Sequence, residues 1–138
     1  MFGSEETGSK KKISDFFDEW HKLMARYLDH YNAIRDQLPV CVREDFALHD
    51  CRIAGAFYEG NDLALDLDTS GAFTTITKIW FIHCPPQNIA PIINAVWICE
   101  EFHLGKSTKY KVGLLLAKGS RHAIEFVIPC DDIEVERI

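Results

Sequence analysis

CRIAGAFYEGNDLALDLD, residues 51–68, is the stretch that decides the fold. Leu63, Leu65 and Leu67 alternate with Ala64, Asp66 and Asp68, the two-residue period of a strand with one face buried. Cys51 to Glu59 forms the strand before it, and Gly60, Asn61 and Asp62 supply the turn between the two.

Upstream the period changes. Phe16, Phe17, Trp20, Leu23, Met24, Tyr27, Leu28, Tyr31, Ile34 and Leu38 keep the three-and-four spacing of one helical face until Pro39. Ser14 is the expected N-cap, and Asp15, Asp18 and Glu19 place negative charge where the helix dipole favours it. A helix of about 24 residues, about 36 Å long, needs a large surface to lie on.

Downstream the strand pattern continues. Thr69, Ser70 and Gly71 turn the chain into a strand from Phe73 to His83, ended by Pro85 and Pro86. Its second half, Ile79 to Ile82, is apolar on both sides, which predicts a central position. Residues 87–94 read as a short helix or a loop plugging the sheet edge, and Ala95 to Phe102 as a strand, with a helix as the alternative. Tyr110 to Leu116 and His122 to Ile128 pair across a turn at Lys118, Gly119 and Ser120. Pro129 is expected to interrupt, and Ile133 with Val135 to add a final edge strand.

The predicted class is α+β: one long N-terminal amphipathic helix packed on a mostly antiparallel sheet of six or seven strands, with strands following one another as hairpins. The polar start of the chain predicts a flexible tail over residues 1–12, leaving 13–138 as a single domain.

Composition narrows the function classes. Residues 1–39 hold seven acids against six bases and residues 40–138 fourteen against nine, so most of the net charge of −6 falls on the sheet region. Such a surface repels phosphate backbones and attracts basic partners, which argues against nucleic acid as a ligand. No apolar run approaches the roughly 20 residues of a membrane span, and the N-terminus lacks a signal-peptide core, so a cytoplasmic protein without membrane contact is expected. The odd number of cysteines (Cys41, Cys51, Cys84, Cys99, Cys130), with no C-x-x-C pair, predicts free and mostly buried thiols.

No stretch has the spacing of a catalytic or metal centre. His21, His30, His49, His83, His103 and His122 offer no H-x-x-x-H or H-E-x-x-H pattern, the cysteines no thiol-enzyme signature, and Gly113 and Gly119 no phosphate cradle. No catalytic residue, metal or cofactor is therefore assigned. His49 beside Asp50 forms an acid/base pair only if the backbone turns between them, and a turn cap with a packed histidine is the favoured reading. One of Glu100 and Glu101 must face the side of Trp97 and Cys99, where burial would raise its pKa; pairing with Arg52, Lys78 or Lys111 is favoured over a general acid. Asp62, Asp66 and Asp68, with Asp131, Asp132, Glu134 and Glu136 near the end, are either a solvated face or a docking surface for a cationic groove.

Leu48, His49, Asp50 and Ile53, then Gly60, Asn61, Asp62, Leu63, Leu65, Leu67 and Asp68, the pair Glu100 and Glu101, and the closing Asp131, Asp132, Ile133 and Glu134 resemble a bacterial domain family of unknown function. Related small acidic proteins act as immunity proteins that neutralise contact-dependent or other polymorphic toxins. The resemblance covers roughly residues 46–136. It implies a non-enzymatic inhibitor that covers the active site of a cognate toxin domain, a nuclease among the candidates, with no catalytic residue to carry over. Asp62, Asp66, Asp68, Glu100 and Glu101 are the expected partner-binding residues. The alternatives are a small enzyme or ligand-binding domain using Glu100 or Glu101 with His49, and a structural homodimer joined through the helix.

Overall fold

The computed structural model describes residues 13–138 apart from Asp45, Ser120 and Arg121, with side chains described from Lys22 onward; the tail expected at residues 1–12 lies outside the described residues. The chain divides between Asp36 and Gln37 into two compact units. The first holds helix α1 (Ile13–Ile34) and part of a 3-10 turn at Arg35–Gln37. The helix stops short of Leu38 because a residue before proline is pushed out of helical conformation. Met24, Tyr27, Tyr31 and Ile34 form its less exposed stripe, while Leu23 and Leu28 stay exposed. No described helix is long and apolar enough to cross a membrane.

The second unit opens with a single-turn helix α2 (Val40–Arg43), nucleated by Pro39, whose carbonyl accepts the N–H groups of Val42 and Arg43 at 3.0 and 3.2 Å. Seven strands follow: β1 (Arg52–Glu59), β2 (Asp62–Asp68), β3 (Ile76–Ile82), β4 (Val96–Leu104), β5 (Tyr110–Lys118), β6 (His122–Cys130) and β7 (Asp132–Arg137). They form one sheet in the order β6-β5-β4-β1-β2-β3-β7 with every pairing antiparallel. The protein is thus α+β with a seven-stranded antiparallel sheet.

Two hairpin meanders, β1-β2-β3 and β4-β5-β6, meet where β4 returns to β1. The expected unbroken hairpin succession fails at that point, because Ile92, fully buried in a 3-10 turn at Ala90–Ile92, carries the chain back across the first meander. β3 is consequently the penultimate strand and not a central one. It also starts at Ile76, leaving Phe73 fully exposed in the loop before it. Pro129 does not interrupt β6, since an edge strand can turn a missing N–H to solvent.

Cys130 ends β6 at one edge, and Asp132 begins β7 at the other, with Asp131 alone between them. Six gaps of a flat sheet would hold those edges about 29 Å apart at about 4.8 Å per gap. The sheet must therefore curl until its edges meet at this corner. Asp131 pins it: its N–H donates to the Ile82 carbonyl at 2.8 Å, Oδ1 accepts the Lys109 N–H at 2.9 Å and Oδ2 lies 3.2 Å from His83 Nδ1. The Lys109 amide first and His83 second hold this carboxyl below the usual range.

The concave side is the core. Ile53, Leu65, Ile79, Phe81, Trp97, Leu116 and Ile128 are fully buried. Residues 37–44 and 46–48 cross this side, burying Leu38, Val42 and Leu48 and edging Phe46 against Trp97 and Phe102. Tyr110 Oη donates to the Gln37 carbonyl at 2.6 Å and Cys41 Sγ to that of Ile133 at 3.2 Å, tying the segment to both halves of the sheet.

The β4–β5 turn closes through Gly105 N–H to the Lys109 carbonyl at 3.0 Å, and a Cβ at Gly105 would collide with the Thr108 carbonyl oxygen. Gly105→Ala is expected to lower stability by about 1–3 kcal/mol, the cost of forced overpacking. Urea unfolding should show a lower midpoint with unchanged slope.

Candidate functional site

Strand register decides which side chains share the convex face. Phe57 stands opposite Ala64, Ala64 opposite Trp80 and Trp80 opposite Glu134. In the adjoining row Gly55, Asp66, Lys78 and Glu136 follow one another. Two residues the other way along the strands, Glu59 pairs with Asp62 and Ile82 with Asp132. Alternation puts all of these opposite the buried Leu63, Leu65, Ile79, Phe81 and Ile133. The outer face of β1-β2-β3-β7 is therefore an aromatic pair ringed by carboxylates.

Lys78 occupies its centre. Its Nζ lies 5.0 Å from the ring centroids of both Phe57 and Trp80, and 3.8 Å from Glu59 Oε1 and Asp66 Oδ1. Trp80 Nε1 donates to Glu59 Oε2 at 3.2 Å, fixing the indole against the carboxylate. Ala64, between the two rings, has no solvent exposure although it points outward. An ammonium within about 6 Å of a ring face is held by the ring quadrupole. Both rings reach this one.

The five acids expected to bind a partner divide. Asp62 and Asp66 are on this face; Asp62 Oδ1 accepts the His83 N–H at 3.0 Å. Asp68 ends the same strand but is tied down, bonded to Arg52 at 3.1 Å and to the Ser70 N–H at 3.1 Å. The Ser70 backbone first, then its hydroxyl and Arg52, hold the Asp68 carboxyl below its ordinary value. Glu100 and Glu101 belong to β4, in the other half of the sheet. A bulge between Trp97 and Cys99 turns Glu100 to the same concave side as Trp97, where their cross-strand neighbours Leu114 and Leu116 are buried. Glu101 points the other way, its Oε1 3.2 Å from His103 Nε2.

Glu100 takes none of the cations expected for it. Arg52 goes to Asp68 and Asn94, and Lys78 to the outer face. Its Oε1 instead accepts the Trp97 indole N–H at 2.9 Å. Burial pushes this carboxyl above its ordinary value, opposed by the Trp97 bond, a backbone bond and the charge of His49. His49 itself is exposed, and its Nδ1 lies 3.6 Å from Asp50 Oδ1, beyond hydrogen-bond reach. Asp50 is a turn residue with φ of 74°, its N–H donated to the Trp97 carbonyl at 2.9 Å.

A carboxyl that holds its proton more tightly when folded makes stability highest at low pH. Stability then falls as pH rises from the ordinary glutamate value through the raised folded one. Glu100→Gln keeps an acceptor for Trp97 and removes the charge. Stability near neutral pH is expected to rise by about 1 kcal/mol, and thermal unfolding followed between about pH 4 and pH 8 should lose part of its slope.

Burial pushes all five thiols upward, Cys99 to about 11 and Cys130 to about 12, which disfavours their thiolate forms. Among the described residues no group of three or more His, Cys, Asp or Glu side chains is placed to hold a metal ion.

Comparison with protein-family models, curated proteins and solved structures finds no match. The resemblance to immunity-type domains stands on the short motifs of the sequence alone. Sequence reading missed Glu59, Phe57 and Trp80 as members of one site and took Lys78 for a counter-ion of Glu100 or Glu101. A signal was present: Phe57 and Glu59, like Lys78 and Trp80, are two apart and flank apolar residues of the opposite parity. What was lacking was the register that sets the strands side by side.

Proposed function

We propose that the chain is a non-enzymatic binding protein that presents the outer face of β1-β2-β3-β7 to a basic protein surface. The observation that carries this is the gathering of Glu59, Asp62, Asp66, Asp132, Glu134 and Glu136 around Phe57 and Trp80 on one face of an antiparallel sheet. Aromatic anchors with a charged surround are the composition of binding hot spots, in which the charges set association rate and exclude wrong partners. In line with the resemblance drawn from the sequence, the proposed partner is the catalytic domain of a bacterial toxin, met in the cytoplasm. A nuclease toxin suits the face, because its cleft must be cationic to hold phosphates.

The face measures roughly 450 Å² at a strand spacing of about 4.8 Å and a rise of about 3.4 Å. That is about half of one side of a standard interface. The partner must reach past it, and the fully exposed Phe73 in the β2–β3 loop is a ready extension. Asp68, Glu100 and Glu101 drop out of this proposal because each is engaged elsewhere. A homodimer through the apolar stripe of α1 is the rival reading, and a monomer by light scattering at high concentration removes it.

Coexpression with the toxin domain encoded beside this gene tests the proposal. A copurifying complex and restored growth of the toxin-expressing cell are expected; a neighbouring toxin domain that stays free and lethal overturns it. The raised carboxyl of Glu100 within the field of His49 favours one second reading, a small enzyme with Glu100 as general acid. Glu100→Gln would abolish such turnover and leave complex formation intact.

A further inference from the structure

Resting on this proposed binding face, we infer that the cleft between Phe57 and Trp80 is a cage for one cationic side chain of the partner, with Lys78 its resident stand-in. The cleft is built for a single side chain. Phe57 and Trp80 stand on β1 and β3, two strand spacings or about 9.6 Å apart, and the strand between them contributes only the methyl of Ala64 as a floor. One ammonium stands between the rings, since Lys78 Nζ is 5.0 Å from both centroids. Glu59 and Asp66 close the remaining sides, and the indole is braced by its bond to Glu59.

That an ammonium fits is seen directly, because Lys78 is in it. The lysine is not locked there. Charge-assisted bonds run to about 2.9 Å, whereas its Nζ is 3.8 Å from each carboxylate and within reach of both rings. Lys78 is the residue a sheet would use to keep such a cage wet and occupied in the free protein. An incoming arginine suits the site better, since its guanidinium stacks on an indole and pairs with a carboxylate through the same plane.

A hexa-arginine peptide titrated at low salt separates the cage from simple charge. Lys78→Ala and Lys78→Met remove the same charge, but methionine leaves the cleft filled and alanine empties it. Lys78→Ala is expected to bind the peptide at least tenfold more tightly than Lys78→Met, with the Trp80 indole N–H resonance moving on binding. Adding Trp80→Ala to Lys78→Ala should remove the gain; circular dichroism checks that each variant is folded. Equal affinities for the two lysine variants, or an unmoved Trp80 resonance, overturn the cage. Glu134→Lys with Glu136→Lys in the otherwise natural chain tests the face itself. If that pair leaves peptide affinity unchanged, the acidic-face proposal fails; if it weakens binding while the lysine variants match, only the cage fails.

Discussion

Trp97→Ala is expected to remove about 4 kcal/mol of stability, a large share of the roughly 5–15 kcal/mol that holds a domain together. The side chain is fully buried, in edge contact with Phe46 at 6.3 Å between ring centroids. Its backbone lies at the narrowest point of the sheet. β1 and β4 pair formally only at Arg52 and Val96, and the seam is held by Trp97 N–H to the Cys51 carbonyl at 2.8 Å, Asp50 N–H to the Trp97 carbonyl at 2.9 Å and Ile53 N–H to the Ala95 carbonyl at 2.8 Å. A cavity here loosens the joint between the two meanders as well as the core. Urea unfolding should show the loss, with a shallower slope if the meanders then separate in two steps. Trp97→Phe supplies the control. It keeps most of the apolar volume but leaves Glu100 without its indole donor, which pushes the folded carboxyl further upward. The loss in Trp97→Phe should therefore grow as pH rises, because the charged form of Glu100 is the one left unsupported.

The same seam shows what a sequence can and cannot carry. The two-residue period of Leu63, Leu65 and Leu67 located β2, and the change of period at Pro39 separated helix from sheet, because both are local consequences of which face is buried. Neither says which strands become neighbours. That β4 returns to β1 goes with Ile92 being buried; Ile89, Ile92 and Ile93 mark residues 87–94 as a segment that plugs the sheet, but not which strand the chain then joins. The bulge after Trp97 is equally silent: strict alternation would send Trp97 and Glu100 to opposite sides, and the extra residue brings them together. The acidic residues were all visible as letters. Their division into a face, a tied pair at Asp68 and an inward Glu100 is a property of register, which Gly60 and Asn61 set for one hairpin but no turn sets across the sheet.

Reversing charge on the convex face, with Asp66→Lys, Glu134→Lys and Glu136→Lys together, is expected to slow association with the toxin domain by about a hundredfold or more at low salt. The gap should narrow as salt rises, since screening shortens from about 30 Å at 0.01 M to about 10 Å at 0.1 M. Dissociation should change less, because the aromatic anchors Phe57 and Trp80 remain. The fold should survive: Glu134 and Glu136 are exposed on the edge strand β7, where lysine is a common guard against unwanted pairing. Two comparison variants give the experiment its meaning. Glu101→Lys lies on the other half of the sheet and Asp68→Lys breaks the local bonds to Arg52 and Ser70, so neither should move the association rate by more than a few-fold. Stopped-flow binding across a salt series distinguishes the cases. A rate that falls with Glu101→Lys by as much per reversed charge as with the triple variant would mean that net charge alone matters and that the face has no special claim; a rate untouched by the triple reversal would place the partner elsewhere on the molecule.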